Sequence, residues 1–232
     1  MSEDESVAPF VPREHDPADD EPGLDDLFGL GDDFDDDEFF AAWEEADAGA
    51  VEVLREALPE CLAATPPAGE LRAAAERIRA GIAGGTVPYS YIRGAAGWSA
   101  KFPEDDLDLW VEATCSLIAG VDDFPMPIEQ QTTIMALQHG DWAGAVIGLI
   151  RAGAGAPAGA EDLVGYADAC PEIEGEVDPE DVAIIEEGFG HLVDLWEATG
   201  AIDAHGRLTE LGWWGLPRAL AWAWDGDFDT AD

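Results

Sequence analysis

The chain has 232 residues, with 52 Asp and Glu against 10 Lys and Arg, a formal net charge of -42. So large an excess of carboxylates repels a phosphate polymer and excludes direct nucleic-acid binding. No apolar run reaches the roughly 20 residues of a membrane helix, and the opening Met1-Ser2-Glu3-Asp4-Glu5 is the reverse of a cationic signal peptide, so a soluble, cytoplasmic protein is expected.

The charge is unevenly spread. Residues 1–47 hold 19 acids and one base, Arg13, a balance of -18, which leaves -24 on the other 185 residues. Lys101 is the only lysine and the remaining nine bases are Arg. With abundant Ala, Gly and Asp, that bias fits either a GC-rich coding sequence or adaptation to a salty cytoplasm, in which case the acids are a solvation device without a target. Cys61, Cys115 and Cys170 are odd in number and widely spaced, which predicts reduced, buried thiols rather than a disulfide framework or a zinc knuckle.

In chain order, residues 1–37 read as a disordered acidic tail, because Pro, Gly, Asp and Glu without periodicity bury too little apolar surface to offset the entropy of ordering. Large apolar groups are nevertheless interleaved with the acids. Of these, Leu27, Phe28 and Phe34 are candidates for docking onto a partner, whereas Phe39, Phe40 and Trp43 fit the start of the first helix of the body.

A helical region is expected over 38–120. Phe40, Trp43, Val51, Leu54 and Leu58 can share a face that closes at Pro59 and Pro66-Pro67. Leu71, Ala74, Ile78 and Ile82 repeat at three and four up to Gly84-Gly85. Val87 to Ile92 is either extended or the entry to another helix; Leu107 to Ile118 is a helix with Trp110, Val111 and Thr114 on one side.

A second helical region is expected over 121–226. Prolines break the chain between Asp122 and Pro127, and a helix follows from Ile128 to Gln138. Asp141 is placed as the N-cap of a helix over 142–151, with a short helix over 161–170 and a long one opened by Asp178-Pro179 and stopped by Gly200. Ala201 to Thr209 then predicts a small hairpin turning at Gly206, and Thr209 with Glu210 opens a last amphipathic helix. Residues 227–232 form an acidic end.

The stretch from Leu192 to Ile202, followed by a turn and Arg207-Leu208-Thr209-Glu210-Leu211-Gly212, resembles the recognition helix, wing and terminal helix start of winged-helix domains of the multiple-antibiotic-resistance regulator type. The resemblance covers about 35 residues, roughly 180–215, and implies a degenerate winged-helix-like unit. Here the chain departs from the pattern. A DNA-reading helix presents Arg, Lys, Asn or Gln, whereas this one carries Glu180, Asp181, Glu186, Glu187, Asp194 and Glu197 without a Lys or Arg. Such a helix belongs to a protein-interaction scaffold.

Three constellations suggest chemistry, and each has a plainer reading. Gly153, Gly155 and Gly159 follow an apolar run, but their spacing is not that of a dinucleotide turn and Pro157 lacks an N–H, so a glycine helix cap followed by a flexible loop is expected. Asp33, Asp35 and Asp37 with Glu44 imitate a calcium loop, yet Glu38 stands where the tight turn requires Gly. Glu187, His191 and Asp194 share a helix face at metal-ligand spacing, which is also that of a solvated acidic face. No catalytic, cofactor or metal residue is assigned on these grounds, and no Cys-x-x-Cys, HExxH or nucleophile elbow occurs.

Four tryptophans, Trp213, Trp214, Trp222 and Trp224, crowd the last helix and cannot all face inwards, because residues one or two apart point in different directions. Trp213 and Trp214 therefore join Leu27, Phe28 and Phe34 as candidate partner-binding residues. The expectation is a mostly helical protein with a small C-terminal hairpin, acting without catalysis as an interaction or regulatory module for a protein with a basic surface. The alternative is a small enzyme or ligand-binding protein whose acidity is salt adaptation alone.

Overall fold

A computed structural model describes residues 48–84, 105–119, 133–134, 136–173 and 181–225. By internal contacts the chain divides into Met1–Ala41 and Ala42–Asp232, and every described residue lies in the second unit. The tail positions Leu27, Phe28 and Phe34, the pattern over 33–44, the segments 87–92 and 122–127, and Asp178-Pro179 lie outside the described residues.

Among the described residues the protein is mostly helical. The first helix, α1, is described over 48–57 and buries Val51 and Leu54. Proline lacks the N–H that continues a helix but fits the first position of a new one, so α1 gives way to α2 (Pro59–Ala63). Ala64 turns extended ahead of Thr65-Pro66-Pro67, where the prolines keep the helix from resuming at once. In α3 (Ala68–Gly84) Leu71, Ala74, Ala75 and Ile78 form the buried stripe that the spacing predicts, with Ile82 partly buried.

Helix α4 (Asp106–Ala119) is opened by Asp105, whose carboxylate accepts from the N–H of Leu107 at 2.8 Å. It buries Leu109, Trp110, Val111, Ala113, Thr114 and Cys115. Helix α5 (His139–Ala152) is the most enclosed, with Trp142 to Ile147, Leu149 and Ile150 all buried. Asp141 is not its N-cap as expected. The helix starts earlier, and Asp141 sits in its first turn, reaching back to accept from the N–H of Gln138 at 2.9 Å. Burial pushes the Asp141 carboxyl up despite that bond, and the neighbouring Asp181 adds to the shift.

Helix α6 (Ala160–Asp168) packs closely on α5 because Gly144 and Gly148 leave room for it. A Cβ at Gly148 would lie 2.7 Å from Cβ of Tyr166. Helix α7 (Val182–Thr199) lies against α6 and α4, and α8 (Glu210–Asp225) against α4, α5 and α2. Trp110 links three of these elements. Its ring fills the space left by the missing side chain of Gly215 in α8, and its indole N–H donates to the carbonyl of Thr199, at the end of α7, at 3.0 Å. No helix among the described residues is long and apolar enough to cross a membrane.

Gly200 ends α7 in the left-handed conformation, φ 81°, as its place in the sequence predicts. Beyond it no strand forms among the described residues. Where a hairpin is expected, Ile202 pairs singly with Leu208, and Pro157 pairs with Arg207 from the other side. The Asp203 carboxylate shapes the turn by accepting from the N–H groups of His205 at 2.8 Å and Arg207 at 3.0 Å. These bonds, the one from His205 foremost, hold its carboxyl below the usual range. Thr209 then caps α8, its hydroxyl oxygen accepting from the N–H of Gly212 at 2.9 Å.

Candidate interaction surface

Helix α7 has two contrasting sides. Ile185, Gly188, Phe189, Leu192, Leu195, Trp196 and Thr199 face the core, where Phe189 meets Trp142 edge to face at 5.8 Å. Gly188 is small by necessity, since a Cβ there would stand 2.6 Å from the carbonyl oxygen of Thr133. The other side exposes Glu186, Glu187, Asp194 and Glu197. At 3.6 residues per turn these four fall within an arc of about 100°, over roughly 16 Å of helix, with Ala183 and Gly190 along its middle. From Asp181 to Gly206 the chain contains no Lys or Arg, so the arc has no cation on its own element.

Three arginines on other elements are engaged away from the arc, whereas the Arg77 guanidinium lies beside Gly200 at the end of α7. Arg79 pairs with Asp106 at 2.7 Å, and Arg151 reaches Glu172 with both terminal nitrogens, at 2.8 and 2.5 Å. The Arg151 hydrogen bond is the main reason the Glu172 carboxyl is held below its usual range. Arg207 donates to the carbonyl of Gly155 at 2.8 Å.

The tryptophans expected at a contact surface divide. Trp214 is only 4% exposed, and its indole N–H donates to the carbonyl of Ala64 at 2.9 Å. A side chain so enclosed cannot touch a partner unless the core opens. Trp213 is partly buried and donates to the carbonyl of Ile150 at 3.0 Å. Trp222 and Trp224 are partly exposed on the last turns of α8, Trp224 with its ring 5.2 Å from that of His139.

Around Trp214 lies a polar cluster that sequence reasoning missed. Pro217 inside α8 cannot donate to the carbonyl of Trp213, one turn earlier. The Cys61 thiol donates to that carbonyl instead, at 3.0 Å. Arg218, 6% exposed, lies over the Trp214 ring at 4.3 Å and donates to the carbonyls of Leu62 at 2.7 Å, Cys61 at 3.2 Å and Ala64 at 3.4 Å, and to that of Trp214. A guanidinium thus closes the carbonyl end of α2, where a helix is electronegative. Burial pushes the Cys61 thiol up against the opposing pull of Arg218, so the sulfur keeps the proton it donates. The one available signal was a single charge set in the apolar run Leu216-Pro217-Arg218-Ala219-Leu220.

The other sequence candidates resolve as follows. All three cysteines are free and buried. Gly153 does cap α5, at φ 87°, but the segment after it is tied down rather than loose: the N–H groups of Gly155 and Ala158 donate to Leu208 and Gly206, and that of Leu208 returns to Ala156. Those N–H groups are not available to cradle a phosphate. Glu187 and Asp194 point outward with His191 partly buried, and among the described residues no three His, Cys, Asp or Glu side chains are grouped to hold a metal ion. No family model, curated protein or solved structure matches the chain.

Proposed function

We propose that this protein is a non-enzymatic interaction or regulatory module, and that residues from about 180 to 215 make a degenerate winged-helix-like unit turned from DNA to protein binding. The order of elements supports the fold reading: α7, the turn at 203–206 and the start of α8 follow one another as in the resemblance drawn from sequence. Two further features agree with it. Ile202 and Leu208 make a single antiparallel bridge, and main-chain hydrogen bonds join residues 155–158 to 206–208.

The observation that carries the functional reading is the arc of Glu186, Glu187, Asp194 and Glu197 on the helix that would enter a groove. Four carboxylates set against phosphates would each lose attraction where a DNA-binding protein gains it. The same arc is complementary to a cationic protein surface, where opposite potentials accelerate encounter and fix orientation. In this reading Leu27, Phe28 and Phe34 of the acidic tail add apolar anchors, and Trp213 is the remaining aromatic candidate on the body. Reversing the four α7 acids to Lys tests it: capture of a basic protein or peptide falls while the helical content stays at the parent value. Unchanged capture rejects α7 as the contact surface.

A further inference from the structure

We draw no further inference here: the strongest candidate, the carboxylate arc on the outward side of α7 with Ala183 and Gly190 along its middle, belongs to the surface already described, and nothing in the structure shows what covers it.

Discussion

Replacing Arg218 with alanine is the sharpest perturbation of the fold. The guanidinium donates to the Leu62 carbonyl, whereas the Cys61 and Ala64 carbonyls keep the Ala64 N–H and the Trp214 indole as partners. Stranding one buried carbonyl costs about 1–3 kcal/mol. Losing the contact with the Trp214 face costs about 1–2 kcal/mol at a desolvated site. The two methylenes removed from the stem, Cγ and Cδ, represent about 1.6 kcal/mol of burial. Against these stands the relief of no longer holding an ion out of water, several kcal/mol in the opposite direction. The net expectation for Arg218→Ala is a loss of about 3 kcal/mol, or roughly 6–12 °C in melting temperature for a chain of this size. Arg218→Met keeps the stem and the packing, so it loses less. Urea titration followed by tryptophan fluorescence, in salt high enough to screen the surface, measures both variants. If Arg218→Ala stays within about 0.5 kcal/mol of the parent, the range of an ordinary surface change, the guanidinium does not secure α2 to α8 and the reasoning is refuted.

Further outcomes follow from the same geometry. Trp110→Phe, which strands the Thr199 carbonyl and empties part of the space that the ring fills beside Gly215, loses about 2–4 kcal/mol by urea titration; Gly215→Ala, which drives a methyl into the Trp110 ring, loses about 1–3 kcal/mol. Equal stability of parent and Gly215→Ala would show that the ring has room to move. Glu172 titrates below its usual value, so its pairing with Arg151 contributes above the ordinary glutamate value of 4.5 and is lost as pH falls through the lower folded value. The pair is exposed, so Glu172→Gln costs under about 1 kcal/mol at neutral pH, and the difference between the variants vanishes in strong acid. A gap that persists at low pH would place the effect in packing. Because the body alone carries -24, its melting temperature rises as salt is added from millimolar to molar concentration; a flat profile would show that the carboxylates are too far apart to repel.

Much of the helical framework was legible in the sequence because it depends on local rules. The three-and-four spacing of Leu71, Ala74 and Ile78 marks a buried stripe, Gly200 ends a helix because it adopts a left-handed backbone at little cost, and Thr209 has the side chain to cap the next one. Asp141 was legible as a residue at a helix start but not in its position, since an acid can accept backbone N–H groups from the cap or from the first turn with nearly the same reach. The ordering of 153–158 was hidden because its partners, 206–208, lie some fifty residues away and the pairing is mostly main chain, with one bond from the Arg207 side chain.

The same limit applies to the cluster at Trp214. Its parts, Cys61, Pro217 and Arg218, obey no shared period, and they meet only because α2 folds onto α8. A tryptophan pair near a chain's acidic end suggests a contact surface by composition, yet Trp214 packs into the core with its indole N–H held by the Ala64 carbonyl. The carboxylate arc of α7 was readable in both its charge and its helical spacing, and the structure places its acids outward.

In the proposed function this arc, rather than acidity at large, receives a cationic protein surface. Fluorescence anisotropy of a labelled arginine-rich peptide at about 50 mM salt compares three proteins: the parent, the variant with Lys at 186, 187, 194 and 197, and a charge-matched control with Lys at 52, 56, 70 and 76. The α7 variant is expected to lose on the order of tenfold or more in affinity while the control stays within about threefold of the parent. Equal losses in the two variants would contradict it, leaving diffuse charge as the only attraction.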